Sequence, residues 1–267
     1  MSRPGPLALV GSGEFLPVMR ETDRYLIDQI GGPTATRVAV IPTASGLEPG
    51  MPDVWAARGL EHFRALGVAV SAVMIVTRAD ASTPEYLDVL RESTFFYFSG
   101  GNPQYVIETL RDTPAWEIIR SRHLTGAGLA GCSAGAMMLG GATIHLRRAA
   151  AGGPIEWLEA LGVVPRLATI PHFDRVTRFV DEAIVRRALE LAPPGLTVLG
   201  IDEDTSLVRR EPPGGPTGAP RWRVMGRQSV AVFAPGGRPV PTVYATGDTI
   251  DLEEEAAAGS AGEPRRG

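Results

Sequence analysis

The chain has no lysine: all 26 of its basic residues are arginine. Together with abundant Ala, Gly and Pro, this reads as a coding bias that carries little functional information. Cysteine is nearly absent too. Cys132 stands alone, which excludes an internal disulfide and a thiolate zinc site. Charge of one sign is also lacking. The net charge is −4, with no basic stripe and no interleaving of arginine with aromatics, so nucleic acid is not an expected partner. Long apolar runs are missing as well. The first one, Leu7 to Gly11, is far too short for a signal segment or a membrane span, so a cytoplasmic protein with no membrane partner is expected. What remains is ordinary for a folded domain: 44% hydrophobic and 21% charged residues support a sizeable core.

Short apolar segments alternate with helical patterns through the first 200 or so residues. Leu7–Val10, Arg37–Pro42, Val68–Val76, Phe95–Phe98, Gly128–Gly131, Ala168–Ile170 and Leu196–Ile201 are predicted strands. Their apolar content without strict alternation suits a parallel sheet covered on both faces. Helical stretches lie between them: Arg20–Ile30, Asp53–Leu66, Pro84–Leu90, Pro103–Arg111, Trp116–Arg122 and Asp174–Leu191. This alternation predicts a three-layer, doubly wound α/β fold with a mostly parallel sheet. Ser206–Arg210, Trp222–Met225, Ser229–Phe233 and Thr242–Ala245 are predicted antiparallel strands that finish the sheet edge. Glu211–Pro216 is an expected loop. Residues 1–252 are read as a single catalytic domain and 253–267 as a disordered tail.

In open parallel sheets, ligands bind beyond the carboxyl ends of the strands. The unusual residues of this chain concentrate in such loops. Gly131-Cys132-Ser133-Ala134-Gly135 follows a predicted strand and opens a helix, matching the G-x-S-x-G turn that exposes a serine hydroxyl above a sheet. Cys132 is one position off that elbow and reads as a small packed hydrophobe. Of the four histidines, His62 falls mid-helix, on the surface or partly packed. His123 lies near a helix C-terminus, where a cation suits the dipole. His145 is ambiguous, and His172 alone follows a strand end, where a general base belongs. Ser99-Gly100-Gly101-Asn102-Pro103-Gln104 follows another strand. Its glycines let the backbone approach a bound group, so the Gly101 and Ala134 N–H groups are the oxyanion candidates.

Taken together, Gly11–Glu14, Ile41–Ser45, Phe98–Asn102, Gly131–Ala136, Ile170–Phe173, Gly200–Thr205 and Gly247–Leu252 resemble, in order, the peptidase E/cyanophycinase family of serine peptidases. Its fold is like that of class I glutamine amidotransferases, with serine in place of the amidotransferase cysteine. The resemblance implies Ser133 as nucleophile, His172 as base, and Gly101 and Ala134 as backbone donors. The triad acid stays open. Dipeptidase E has an acid shortly after the serine, whereas here the first is Glu156. Glu203 matches the cyanophycinase-like strand end and is preferred; Glu156, then Asp174 and Asp202, are the other options. Pro171 before the histidine is as in dipeptidase E, not the cyanophycinases.

The expected function is hydrolysis of amide bonds in small peptides through a covalent acyl-enzyme, requiring neither metal nor organic cofactor. Asn102, Gln104 and Arg175 are candidate substrate contacts, Arg175 because a guanidinium grips a carboxylate bidentately. Cyanophycin, aspartyl dipeptides and another small amide remain open as substrates. A monomer and a homodimer are both compatible with the resemblance. Two rival readings are carried. One is a non-catalytic amidotransferase-like binding module. The other is an α/β-hydrolase esterase, whose chain order is serine, acid, histidine.

Overall fold

Four consecutive aromatics, Phe95-Phe96-Tyr97-Phe98, show how the chain builds its layers. Side chains alternate across a strand, so Phe95 and Tyr97 enter one core cluster while Phe96 and Phe98 enter another. All four are buried, as expected for a central strand covered on both faces. The computed structural model describes residues 3–210, 221–236 and 240–252. The expected loop at Glu211–Pro216 and the expected tail from Glu253 lie outside these residues.

The described strands in chain order are β1 (Leu7–Val10), β2 (Arg37–Ile41), β3 (Ala69–Ala72), β4 (Phe95–Phe98), β5 (Gly128–Cys132), β6 (Ala142–Ile144) and β7 (Trp157–Glu159). They continue as β8 (Leu167–Pro171), β9 (Thr197–Ile201), β10 (Thr205–Arg210), β11 (Arg221–Gly226), β12 (Ser229–Phe233), β13 (Thr242–Ala245) and β14 (Thr249–Asp251). An eight-stranded sheet runs in the order β14-β11-β10-β1-β5-β4-β2-β3. The stretch from β1 to β3 is parallel, whereas β10, β11 and β14 are antiparallel. Helices Arg20–Ile30 and Met51–Ala65 contribute Leu26, Ile27 and Phe63 to the core on one face. Helices Pro84–Glu92, Pro103–Leu110 and Pro114–Leu124 contribute Leu90, Val106 and Ile119 to the other. This is the three-layer α/β arrangement expected, with its antiparallel C-terminal strands. No described helix is long and apolar enough to cross a membrane.

Two expectations need correction. The predicted strands at Ala168–Ile170 and Leu196–Ile201 do not extend the main sheet; β8 and β9 pair with each other and with β12 and β13 in a second, four-stranded sheet. Its inner residues Leu167, Leu199, Ile201 and Val230 join the same core cluster as Leu7 and Leu9, so the two sheets share one apolar interior. The helix predicted over Asp174–Leu191 is also broken. A 3-10 turn at Phe173–Arg178 ends before a helix at Glu182–Glu190, whose first turn is capped by the Asp181 carboxylate accepting from the Ala183 N–H at 2.7 Å. Helical spacing of apolar residues persists across the break, and the Asp181 cap interrupts it.

Two histidines are buried against expectation. His62 packs among Phe15 and Phe63, with Nε2 2.7 Å from the Asp23 carboxylate. His123 sits in an interior pocket 2.9 Å from the Ala127 carbonyl and 3.2 Å from the Arg209 guanidinium. An Nδ1–H donated to the carbonyl leaves Nε2 as an unprotonated acceptor for Arg209. Burial, reinforced by the Arg209 charge, lowers the His123 pKa from 6.5 to about 4, so the ring is neutral and not the cation that its helix-end position suggests.

That depression has a pH consequence. The unfolded chain takes up the His123 proton below about pH 6.5, while the folded chain resists until about pH 4. Stability is therefore fully present above the unfolded value and falls as the pH drops through this window, by up to ~3 kcal/mol from this residue. Denaturant unfolding of wild type and His123→Gln at pH 7 and pH 4.5 checks the expectation. The wild type should lose more stability than the variant on acidification, and equal losses would contradict it.

Candidate active site

Three parallel strands of the main sheet, β1, β5 and β4, end side by side, and their loops converge. Ser133 follows β5 directly. Its N–H donates to the Val10 carbonyl of β1 at 2.9 Å, continuing the strand ladder one residue past the strand. Its backbone then turns sharply, to φ 52° and ψ −115°, a conformation costing on the order of 1–3 kcal/mol for a residue with a Cβ. The turn enters helix Ala134–Met137 and survives because the positions around it are small. A Cβ on Gly135 would stand 2.6 Å from the Phe98 carbonyl oxygen of β4. The G-x-S-x-G signature is thus a packing requirement between neighbouring strands as much as a chemical one.

His172 follows β8 in the second sheet and is also left-handed, at φ 52° and ψ 37°. That conformation swings its ring over the elbow, where Nε2 lies 3.1 Å from Ser133 Oγ. On the far side of the ring, Nδ1 lies 3.0 Å from Glu203 Oε1. Glu203 occupies the short turn that carries the chain from β9 in the second sheet to β10 in the first. The Glu203 carboxylate is shared: its other oxygen is 2.9 Å from the Arg175 guanidinium. Its backbone is pinned as well. Asp174 accepts the Glu203 N–H at 2.8 Å, and the Glu203 carbonyl accepts from Gln228 Nε2 and from the Thr205 hydroxyl. A carboxylate on Nδ1 fixes the tautomer in which Nδ1 donates and Nε2 can accept the serine proton.

The other acids named for the triad lie elsewhere. Asp174 bonds the Glu203 backbone and Gln228, not the ring. Asp202 accepts from the N–H and hydroxyl of Ser229. Glu156 is exposed and has no bond to His172. The β4 loop brings Gly100 and Gly101 up to the serine. Gly101 adopts φ 149°, and a Cβ there would lie 2.1 Å from the Ala44 carbonyl oxygen. The Gly101 and Ala134 N–H groups have no hydrogen-bond partner among the described residues, which leaves both open to an incoming oxygen.

The proposed substrate contacts are engaged within the protein. The Asn102 side-chain oxygen Oδ1 caps helix Pro103–Leu110 by accepting from the Tyr105 N–H at 3.0 Å. Gln104 bonds Glu108 on the outer face of that helix, and Arg175 holds Glu203 and Asp174. None of these three lines the cavity above Ser133.

Sequence reading passed over Glu14, which follows β1. It is buried, accepts from the Gly100 N–H at 2.9 Å, and accepts from the Cys132 thiol at 2.9 Å. It therefore ties the β1, β4 and β5 loops to one another. The signal available was an acid placed immediately after a Gly-Ser-Gly strand end. His145 also belongs here: it caps helix Leu146–Ala150 through Nδ1 and lines the same cavity as Ser133, Glu14 and His172.

Comparison with known proteins places this geometry in context. Residues 7–212 match the family described as "Peptidase family S51". A cyanophycinase from Synechococcus elongatus is 30% identical over 244 residues, 86% of this chain and 68% of that protein. The crystal structure of a peptidase from an acI-B1 Actinobacterium superposes with a TM-score of 0.80 at 31% identity, covering 93% of this chain and 97% of the other. A putative peptidase E from Listeria monocytogenes EGD-e has a TM-score of 0.57 at 21% identity, over 78% of this chain and 96% of that one, and shares the fold.

The environment of Cys132 separates it from the serine beside it. The thiol is fully buried; burial first, and then the Glu14 charge, push its pKa well above the ordinary value. Treatment with a thiol reagent such as dithionitrobenzoate should release no colour from the folded protein, and one equivalent after denaturation. Rapid reaction of the native protein would contradict this placement.

Proposed function

The chain belongs to peptidase family S51 and is a serine-type peptidase, and on that premise we propose that Ser133, His172 and Glu203 form its catalytic triad. The observation that carries the proposal is the unbroken hydrogen-bond chain from Ser133 Oγ through the imidazole to the Glu203 carboxylate, at 3.1 and 3.0 Å. In this reading Ser133 attacks the carbonyl carbon of a peptide bond while His172 Nε2 takes its proton. The Glu203 carboxylate holds the ring and stabilises the imidazolium that forms. Negative charge on the carbonyl oxygen is received by the Gly101 and Ala134 N–H groups. The tetrahedral intermediate collapses, His172 returns the proton to the leaving amine, and a seryl acyl-enzyme remains. Water, deprotonated by the same histidine, attacks that ester and regenerates the serine.

Arg175 and Asp174 act on Glu203 in this scheme. The guanidinium pairs with the second carboxylate oxygen, and Asp174 fixes the backbone from which the side chain projects. Arg175 is therefore reassigned from substrate contact to positioning residue. The chain order supports the peptidase reading over an α/β-hydrolase: the acid bonded to the histidine comes after it, not before. The free Gly101 and Ala134 amides and the intact serine–histidine contact support turnover over a purely binding role. Small peptides are the proposed substrates, cleaved as in cyanophycinase-like or dipeptidase-E-like enzymes by residues 1–252 acting as one domain.

The test is parallel mass-spectrometric digestion of a peptide library. Ser133→Ala should lose on the order of 10⁶ in turnover, and Glu203→Gln on the order of 10³ to 10⁴, while Asp174→Asn loses far less. A fluorophosphonate should label wild-type Ser133 and not the alanine variant. Equal activity of wild type and Ser133→Ala would sink the mechanism. A larger loss with Asp174→Asn than with Glu203→Gln would move the acid.

A further inference from the structure

The cavity over Ser133 encloses about 500 Å³, within the range of small-ligand pockets. Its apolar walls lie on two sides. Leu16 and Trp55 border it from the side of helix Met51–Ala65, while Ile144, Phe179 and Val180 border it from beneath the second sheet, and Met137 lies on the serine helix. Phe179 is half exposed, a large apolar surface presented at the cavity instead of to the core. Each wall also carries one arginine laid over its aromatic ring: Arg58 over Trp55 and Arg147 over Phe179, both at 5.1 Å. Neither guanidinium has a carboxylate partner among the described residues, whereas the cavity acids Glu14, Glu203 and Asp204 are engaged by Gly100, by His172 with Arg175, and by Arg227. Glu48 is the cavity carboxylate left without a bond among the described residues.

From this we infer that the subsite takes a peptide bearing a large apolar side chain and a free α-carboxylate, the side chain filling the space between the two aromatic walls and the carboxylate paired with Arg58 or Arg147. An arginine stacked on a ring keeps its N–H edge free, and that edge matches a carboxylate in bidentate geometry. A cationic substrate side chain, such as that of a β-aspartyl-arginine unit, would meet apolar walls and two like charges, with only the exposed Glu48 in compensation. The inference rests on the peptidase reading, but it concerns binding, which survives removal of the nucleophile.

Calorimetric titration of the Ser133→Ala protein therefore tests it apart from turnover. The probes are Ala-Ala-Phe, the C-terminal amide of the same tripeptide, and β-aspartyl-arginine. The free acid should bind about tenfold or more tightly than the amide, because only the acid can pair with a guanidinium, and should also exceed β-aspartyl-arginine. Arg58→Ala or Arg147→Ala in the same background should erase the acid–amide difference, and Phe179→Ala, a change at an exposed position, should weaken the tripeptide severalfold. Equal binding of acid and amide, or tighter binding of β-aspartyl-arginine, would overturn the inference whatever the enzyme cleaves. Should the tripeptide bind as expected while wild type cleaves no peptide and takes up no fluorophosphonate, the peptidase mechanism would fall and the subsite would stand.

Discussion

Everything at this site depends on a single strained residue. Ser133 is held in a conformation that its side chain disfavours because its N–H is fastened to β1 while the next turn is pressed against β4. The two restraints act from opposite neighbours in a parallel sheet, so the strain cannot relax without breaking strand pairing. The hydroxyl is thereby raised above the sheet, and the Ala134 N–H is left facing the same space. Local strain of this kind persists only where the surrounding structure over-determines it. Here the surroundings are the fully buried ends of β1, β4 and β5, among the most constrained parts of the molecule.

Around the elbow, charge is handled by pairing. Glu203 is a carboxylate in a partly enclosed turn, and it is held by the imidazole, Arg175 and a backbone pinned by Asp174. Glu14, deeper still, is satisfied by a backbone N–H and a thiol. Both acids are engaged, and among the described residues the arginines of the cavity walls and Glu48 are the cavity charges with neither a side-chain hydrogen bond nor an ion-pair partner. The site thus separates a polar, hydrogen-bonded side from an apolar side that carries two arginines.

Much of this was legible in the sequence, and the remainder was hidden for identifiable reasons. The ends of β1 and β4 coincide with the predicted segments because a short apolar run closed by Gly-Ser or Ser-Gly has few alternatives. The elbow was readable because only small residues fit it, and His172 because it follows a strand directly. Glu203 could be preferred but not chosen on sequence, since its contact with the ring spans 31 residues and depends on how β8 and β9 pair. The split into two sheets was invisible for the same reason: strand partners are set by tertiary packing, and an apolar segment carries no label of its sheet. His62 and His123 were misread because their partners, Asp23 and Arg209, are remote in the chain. The helix break at Asp181 escaped because the helical spacing of apolar residues begins before the helix itself.

The division of the Ser133–His172–Glu203 chain between sheets has a mechanical corollary. Ser133 belongs to the eight-stranded sheet and His172 to the four-stranded one, while Glu203 sits in the link that joins them. The alignment of the Ser133 hydroxyl with the His172 ring is therefore a gauge of how the two sheets are docked. A shift of even an ångström between them would part the serine from the imidazole while leaving each sheet internally intact. Integrity of the fold and competence of the site are in this sense separable, and the joint between the sheets is where they would come apart.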